Sequence, residues 1–210
     1  MVLLFDLDGT LIDSRSLVMR ASAEAIQRGT GLTVSMEAIK QTLPLTISDR
    51  FRRFAPDRVE EVIHLYTKLY SANIGMATPF PGIREMLAAL GTHAVSCAVV
   101  TSRRRETATL TLRTQRLEDY FEAVICEEDV VSPKPAADPV LAAAAKLGVP
   151  PGEAVMIGDS VLDLQSGRAA GAKTGAALWG SQELAALLAS GPDYAFEVPA
   201  DVVASVAGRP

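Results

Sequence analysis

The stretch that decides the fold is Val2-Leu3-Leu4-Phe5-Asp6-Leu7-Asp8-Gly9-Thr10-Leu11-Ile12-Asp13, an apolar run that leads into closely spaced acidic residues. Because side chains alternate between the two faces of a strand, Asp6 and Asp8 would point the same way. Two carboxylates this close repel one another unless a proton or a cation lies between them. Gly9 lets the backbone turn sharply without a steric penalty. The stretch therefore indicates a metal-dependent acidic site at the end of a buried strand.

An ordinary surface hairpin from Leu4 to Ile12 is the alternative for the same residues. Asp-Gly between two apolar runs is a strong signal for a two-residue hairpin turn. The stretch alone does not decide between the two structures, so the choice depends on the rest of the chain.

Length and charge limit the classes of protein to consider. The chain has 210 residues and a formal net charge of −5. The length suits one large domain or a core with a small insert. The acidic balance gives no reason to expect nucleic acid or an anionic membrane as a partner, and no segment reaches the roughly 18 uninterrupted apolar residues of a spanning helix. We expect a cytoplasmic protein that is a monomer or a homodimer.

Cysteines and histidines are too few to suggest a disulfide framework or a zinc site. Cys97 and Cys126 both fall in apolar runs, which favours reduced thiols in the core. His64 and His93 lie far apart in the sequence and do not form a ligand pattern.

A helical pattern occupies the chain from Ser16 to about Asn73, with apolar residues at helical spacing and no convincing strand. It predicts about four helices. Pro79-Phe80-Pro81-Gly82 ends this region, because proline cannot continue a helix and glycine turns freely. We therefore predict a helical cap at residues 16–79, inserted into a core formed by residues 1–15 and 80–210.

The rest of the chain alternates strands with helices. The predicted helices are Ile83–Leu90, Arg104–Thr114, Pro139–Leu147, Val161–Ala170, Gln182–Ala189 and a short one near Val202–Val206, and the predicted strands are Ser96–Thr101, Ala123–Cys126, Ala154–Gly158, Thr174–Leu178 and a weak one at Tyr194–Val198. Apolar strands alternating with helices predict an α/β fold, a Rossmann-like three-layer α/β/α core with a parallel sheet. Ligands in such sheets bind beyond the carboxyl ends of the strands.

Thr101-Ser102-Arg103 closes a predicted strand and opens a helix. A hydroxyl together with the free amides of a helix start can hold a phosphate, so Thr101, Ser102 and Arg103 are candidate phosphate-binding residues. The alternative is simple N-capping of the helix by Thr101 or Ser102. Arg103, Arg104 and Arg105 lie where a helix dipole disfavours cations, which argues for a bound anion.

Two further segments place polar residues at the same edge of the predicted sheet. Lys134 stands between two prolines, and it is either a phosphate or carboxylate partner or an exposed loop lysine. Gly158-Asp159-Ser160 follows a predicted strand. Ser160 with Asp163 forms a capping-box pattern, which leaves Asp159 facing the edge. Asp159 beside Asp6 and Asp8 would make an oxygen-ligand set suited to Mg²⁺.

These motifs together resemble those of the haloacid dehalogenase superfamily. Asp6-Leu7-Asp8-Gly9-Thr10 resembles its first motif, Thr101 its second, Lys134 its third, and Gly158-Asp159-Ser160 with Asp163 its fourth. The helical insert is similar to the cap of the phosphoglycolate phosphatase branch, by position and helical pattern alone.

The resemblance implies a role for each motif residue. Asp6 would attack phosphorus and form an aspartyl-phosphate, and Asp8 would serve as acid and then base. Mg²⁺ would be held by Asp6, the backbone carbonyl of Asp8, and Asp159. Thr101 and Lys134 would hold the transferring phosphoryl group, and Asp163 with Ser160 would support these residues from behind.

We therefore predict a Mg²⁺-dependent phosphatase acting on a small phosphorylated metabolite of the phosphoglycolate kind. A phosphosugar mutase, an inorganic pyrophosphatase and a non-catalytic phospho-ligand binding protein are the alternatives. Within the cap, Arg50 is the candidate that reads a carboxylate or a second phosphate. Arg52 and Arg53 could do the same, and all three could equally form a solvated helix face.

Overall fold

The structure is a computed structural model that describes residues 1–43 and 45–207 of the chain. Its strands are β1 Val2–Phe5, β2 Ile12–Asp13, β3 Thr78–Pro79, β4 Cys97–Val100, β5 Ala123–Ile125, β6 Ala154–Gly158, β7 Lys173–Ala177 and β8 Tyr194–Phe196. Six of them form one parallel sheet in the order β5-β4-β1-β6-β7-β8. The helices are α1 Arg15–Thr30, α2 Met36–Lys40, α3 Ile47–Phe54, α4 Val59–Ala72, α5 Ile83–Thr92, α6 Arg105–Thr114, α7 Asp138–Lys146, α8 Val161–Ala169, α9 Leu184–Ala189 and α10 Pro199–Ala207.

Strand β1 lies at the centre of this sheet and is buried along its whole length. It pairs in parallel with β4 on one side and with β6 on the other. A hairpin from Leu4 to Ile12 would need β1 to pair with the residues that follow it, so that alternative is wrong. The apolar run before Asp6 is a central strand because it is apolar on both faces.

Helices cover both faces of the sheet. Leu3 and Phe5 of β1 pack into an apolar cluster that includes residues of α5, α6 and α10, whereas Val2 and Leu4 pack into a second cluster with α7. Burying each large side chain of this kind stabilises the fold by roughly 1.5–3 kcal/mol. The predicted three-layer α/β/α core with a parallel sheet is confirmed, including the weak last strand and the final helix.

The region between β2 and β3 is helical, as predicted. Helices α1 and α4 pack against each other. Helix α1 buries Ala25 and Ile26, and helix α4 buries Val62 and Ile63. Helices α2 and α3 begin with the hydroxyl caps that their sequences offer: the Ser35 side chain accepts from the Ala38 amide at 3.2 Å, and the Thr46 side chain from the Asp49 amide at 3.1 Å.

Sequence analysis did not predict the short antiparallel pair β2–β3. It joins Ile12 to Pro79 and Asp13 to Thr78, where the chain leaves the sheet and returns to it. Two-residue strands carry no periodic signal, so only tertiary contact reveals them. The division into a cap at 16–79 and a core at 1–15 and 80–210 stays a prediction, and its last residues, 208–210, lie outside the described residues.

Two smaller features of the described residues complete the fold. Cys97 and Cys126 are free and buried, as expected. None of the helices in 1–43 and 45–207 combines the length and apolar character needed to cross a bilayer.

Candidate active site

Four side chains meet at the carboxyl ends of the central strands, and we call Asp6, Lys134, Asp159 and Asp163 the strand-end cluster. Asp6 directly follows β1, Asp159 follows β6, and Asp163 lies in the first turn of α8. The Lys134 ammonium group lies among them. It donates to Asp6 Oδ1 at 2.7 Å, to Asp163 Oδ1 at 2.6 Å and to the Val100 carbonyl at 2.7 Å. Residues 128 positions apart are thus in direct contact.

Asp163 has two functions at once. Its Oδ2 accepts from the Ser160 amide at 3.1 Å while the Asp163 amide donates to Ser160 Oγ at 3.4 Å, which forms the capping box that the sequence predicts. The same Oδ2 also accepts from the Ser160 hydroxyl at 2.6 Å. Its Oδ1 binds Lys134. Because the start of α8 fixes the Asp163 side chain, Asp163 in turn fixes the lysine next to Asp6.

The charges of the cluster are poorly balanced. Burial, followed by the neighbouring carboxylates Asp6 and Asp163, raises the pKa of Asp159. Burial also raises the pKa of Asp6, and Lys134 opposes this shift. Burial would lower the pKa of Lys134, but Asp163 and Asp6 outweigh it and the pKa is raised. Three carboxylates and one ammonium group leave excess negative charge at this edge of the sheet.

This donor set fits a hard divalent cation. Asp6, Asp159 and Asp163 each offer an oxygen within 4.8 Å of the others. Carboxylate oxygens are the ligands that Mg²⁺ prefers, and a divalent charge would balance the excess negative charge. Both oxygens of Asp163 already accept hydrogen bonds, so Asp6 and Asp159 are the better candidates to hold the metal.

Asp8 does not join the strand-end cluster with its side chain. Two nitrogens of Arg103 donate to the Asp8 carboxylate, Nε to Oδ2 at 2.5 Å and Nη2 to Oδ1. The Ser14 hydroxyl also donates to Oδ1. Arg103 Nη1 donates to the Tyr70 hydroxyl at 2.6 Å and to Thr111 Oγ1 at 2.9 Å. Burial would lower the pKa of Arg103, but Asp8 outweighs it. Arg103 therefore ties Asp8 to helices α4 and α6.

The arginine cluster at the start of α6 does not need a bound anion. Arg103 pairs with Asp8, Arg104 with Glu60 at 2.9 Å, and Arg105 with Asp129. The protein itself supplies a carboxylate for each of the three arginines. The expectation that these arginines at a helix start require a bound anion is therefore wrong. A phosphate-binding role for Arg103 stays a prediction.

Thr101 and Ser102 do not cap α6. The helix begins at Arg105, and the Arg105 amide donates to Glu128 at 3.0 Å. The Thr101 hydroxyl oxygen accepts from the Arg103 amide at 3.2 Å instead, and its side chain is buried beneath the cleft. The N-capping alternative for Thr101 and Ser102 is therefore wrong.

One cleft of about 560 Å³ brings every predicted site residue together. It lies between the carboxyl ends of the strands and helices α1–α4, and the predicted residues among its lining are Asp6, Asp8, Arg50, Thr101, Ser102, Arg103, Lys134, Asp159, Ser160 and Asp163. The structure also separates the three arginines of α3. Arg50 is buried and lines the cleft, whereas Arg52 and Arg53 are exposed, and Arg52 pairs with Asp49 at 2.5 Å.

Sequence reasoning missed several residues of this cleft. Ser14 binds Asp8, and Arg15 lies close enough to Asp159 to lower its pKa against the effect of burial. The helical spacing puts Tyr66 and Tyr70 on the apolar face of α4, and both side chains are buried there. Their hydroxyl groups, four residues apart on one helix face, reach polar partners or the cleft only because α4 lies against α3 and α6.

A close approach of two glycines shapes the floor of the cleft. Gly9 has a φ of 88°, and a methyl group on Gly180 would lie 1.6 Å from the Gly9 carbonyl oxygen. Trp179 Nε1 donates to the Thr10 carbonyl at 2.8 Å, and Thr10 Oγ1 donates to Asp159 at 3.2 Å. Only a residue without Cβ fits at position 180, so the loop after β7 holds the turn that follows Asp8 in place.

Comparison with known proteins agrees with this geometry. A family model described as haloacid dehalogenase-like hydrolase matches residues 3–177. The chain belongs to this family. Among the relatives of this haloacid dehalogenase-like hydrolase, pyrophosphatase PpaX of Bacillus pumilus is 32% identical over 204 residues, which cover 97% of this chain and 94% of that protein. Pyrophosphatase PpaX of Oceanobacillus iheyensis is 31% identical over 208 residues, covering 97% and 95%.

Solved structures agree with the family assignment. A protein of Lactobacillus plantarum, provisionally named a phosphoglycolate phosphatase, has a TM-score of 0.86 and 25% identity, with 97% of each chain covered. A hydrolase from Pseudomonas syringae has a TM-score of 0.85 and 26% identity, with 99% of this chain and 97% of that chain covered. This haloacid dehalogenase-like hydrolase is therefore an enzyme of the phosphatase type.

Proposed function

We propose that the protein is a Mg²⁺-dependent phosphatase that hydrolyses a small phosphorylated metabolite through an aspartyl-phosphate on Asp6. The observation that carries the proposal is the contact of Lys134 with Asp6 and Asp163 beside Asp159. It joins residues from three of the four strand-end motifs in one cluster, and Asp8 and Thr101 line the same cleft.

Each residue has a defined task in this proposal. Asp6 attacks the phosphorus atom, its carboxylate oxygen forms the new bond, and the leaving oxygen departs on the opposite side. Asp8 gives a proton to that oxygen and then takes one from the water that hydrolyses the aspartyl-phosphate. Lys134, Thr101 and Ser102 hold the phosphoryl oxygens. Asp6, Asp159 and the Asp8 carbonyl would hold Mg²⁺, which neutralises charge on the transferring group.

Arg103 has to release Asp8 before Asp8 can act on the leaving group. The guanidinium group occupies both carboxylate oxygens. Since Tyr70 of α4 holds the same guanidinium group, movement of the helical region on substrate binding would free Asp8. Closure of this kind also excludes water during phosphoryl transfer.

Inorganic pyrophosphate is the second candidate substrate, beside phosphoglycolate-like monoesters. The curated relatives at 31–32% identity that cover nearly the whole chain are pyrophosphatases. We further propose that the protein acts in the cytoplasm on this small metabolite, without a nucleic-acid or membrane partner.

Phosphate release from a panel of phosphorylated metabolites, with Mg²⁺ and with a chelator, tests the proposal. We expect Mg²⁺-dependent turnover that falls at least ~10³-fold in Asp6→Asn, because the nucleophile is lost. Arg52→Gln, on the exposed side of α3, is the matched control and should keep full activity. Turnover that is unchanged in Asp6→Asn would overturn the mechanism, and transfer of the phosphate to a sugar instead of water would favour the mutase.

A further inference from the structure

The side chain of Trp179 fastens the turn that follows β1 to the loop that follows β7. Its indole Nε1 donates to the Thr10 carbonyl at 2.8 Å, and its ring packs against the apolar core. Indole has a single donor and no acceptor, so Thr10 takes the one conventional hydrogen bond that the ring can give. Thr10 is fully buried, and a buried carbonyl needs a partner of this kind.

The same turn lies directly against Asp159. Thr10 Oγ1 donates to Asp159 Oδ1 at 3.2 Å, across 149 positions of the sequence. A methyl group on Gly9 would lie 2.3 Å from Asp159 Oδ2, so the carboxylate packs on the backbone of the turn. The Asp8 carbonyl belongs to this turn as well. We call the contacts that run from Trp179 through Thr10 to Asp159 the Trp179 chain.

Other contacts of the turn leave it little freedom. The Ile12 amide donates to the Leu7 carbonyl at 2.9 Å, which closes the turn on itself. Gly180 packs against the Gly9 carbonyl, and the Gly180 carbonyl accepts from Arg15 Nη2 at 3.4 Å. The loop after β7 is therefore held on both sides, and it gives the Trp179 chain a fixed origin.

We propose that Trp179 is a positioning residue of the metal site, which acts through Thr10 to fix the spacing between Asp159 and the Asp8 carbonyl. The inference rests on the proposed function, in which these two groups hold Mg²⁺ together with Asp6. Mg²⁺ demands near-ideal octahedral geometry with ligands at about 2.0–2.1 Å, whereas Ca²⁺ accepts about six to eight oxygens in flexible geometry. A fixed spacing therefore favours Mg²⁺, and a loosened spacing should weaken Mg²⁺ binding more than Ca²⁺ binding.

Calorimetric titration of the metal-free protein with Mg²⁺ and with Ca²⁺ tests the inference without reference to turnover. Trp179→Phe removes the indole donor and keeps an aromatic ring on the core. Partners that orient a metal ligand typically change metal affinity about 10- to 100-fold. We expect the Kd for Mg²⁺ to rise about 10-fold in Trp179→Phe, and the Kd for Ca²⁺ to stay within roughly threefold of the wild type.

Thr10→Val interrupts the Trp179 chain one step nearer to the metal. It removes the hydroxyl that donates to Asp159 and should show the same selective loss of Mg²⁺ binding. Residues that act through one another do not have additive effects on free energy. In the double variant the rise in the Kd for Mg²⁺ should therefore be smaller than the product of the two single rises. A rise equal to that product would overturn the action of Trp179 through Thr10.

Ser181→Ala is the matched control in the same loop, because the Ser181 hydroxyl accepts from the Glu183 amide at 3.3 Å. It should leave both Kd values unchanged. The same selective loss in Ser181→Ala would overturn the assignment to Trp179. Melting temperatures without metal show whether each variant is folded, and if Trp179→Phe is not, the ratio of the two Kd values in Thr10→Val decides.

The remaining outcomes separate this inference from the proposed function. Equal losses of Mg²⁺ and Ca²⁺ binding in Trp179→Phe, or no loss of either, would overturn the inference alone. If the wild-type protein binds Mg²⁺ but releases no phosphate from any substrate, the proposed function fails, and the titrations still decide on Trp179. A wild-type protein that binds no Mg²⁺ would overturn both.

Discussion

The two walls of the cleft, the strand ends and the helical region, stabilise their buried charged groups in different ways. In the strand-end cluster, Lys134 uses its hydrogen bonds on Asp6, Asp163 and a backbone carbonyl. On the helical wall, Arg50 and Tyr66 are buried side by side, and the guanidinium group donates to two backbone carbonyls and not to a carboxylate. The strand side therefore balances its buried cation with carboxylates, whereas the helical side holds its buried cation with backbone carbonyl groups.

Lys134→Met should produce the largest change, because it removes the only ammonium group from the strand-end cluster. Breaking a buried ion pair leaves uncompensated charge and costs about 3–5 kcal/mol. We expect the free energy of unfolding to fall by that amount without Mg²⁺, measured by urea denaturation. Arg50→Met is the comparison across the cleft and should cost less, since the Arg50 guanidinium group is bonded to backbone carbonyls and leaves no unpaired carboxylate when it is removed. Equal losses would remove the distinction between the two walls.

Alkaline pH should have the next largest effect on the stability of the protein, because it acts on Tyr66 of the helical wall. Burial raises the pKa of Tyr66 from 10.0 to about 12, so the folded state keeps this proton longer than the unfolded state. Stability therefore falls as pH rises through 10 towards 12, by about 1.4 kcal/mol per pH unit at most. Denaturation curves between pH 9 and 11 should show this slope in the wild type. The slope should be smaller in Tyr66→Phe, and an identical slope would contradict the prediction.

Tyr70→Phe should have an intermediate effect, because Tyr70 connects the two walls. Its hydroxyl accepts from Arg103 Nη1 at 2.6 Å and contacts Thr111 Oγ1 at 3.1 Å. Losing a hydrogen bond to a charged group costs about 1–2 kcal/mol. The midpoint of urea unfolding should fall accordingly, with the slope m unchanged. If Tyr70→Phe unfolds at the same urea midpoint as the wild type, the hydrogen bond to Thr111 alone is sufficient for Arg103 Nη1.

Glu60→Gln should have the smallest effect. Glu60 pairs with Arg104 at 2.9 Å, but its side chain is 73% exposed. Exposed ion pairs contribute about 0–1 kcal/mol and are screened by salt. The difference in unfolding free energy from the wild type should vanish in 1 M NaCl. A difference that persists at high salt would show that the pair is more than a surface contact.

The strand side could be predicted from sequence and the helical side only in part. Asp6 and Asp159 follow apolar runs, Lys134 lies in a loop after a predicted strand, and the rule that ligands bind at the carboxyl ends of parallel strands brings them together before any coordinates are known. Asp163 was predicted only as a supporting residue, because its bond to Lys134 depends on the packing of α8 against β6.

On the helical side, periodicity identifies the buried face of α4 but does not distinguish a core tyrosine from one whose hydroxyl lines a cleft. The spacing of Tyr66 therefore predicts only a core residue. Arg50, Arg52 and Arg53 are the same kind of residue on one short helix, and only the packing of α3 on α4 shows which of them is buried.

The position of β1 has a consequence for protein synthesis. This strand is synthesised before the other strands of the sheet, yet its hydrogen-bonding neighbours are residues 97–100 and 154–158. Contacts between such distant segments form slowly, because a long loop has to close first. A growing chain must therefore shield an apolar, unpaired segment until residue 158 has been translated. Slowing translation near residue 150 should lengthen the period in which the nascent chain binds chaperones.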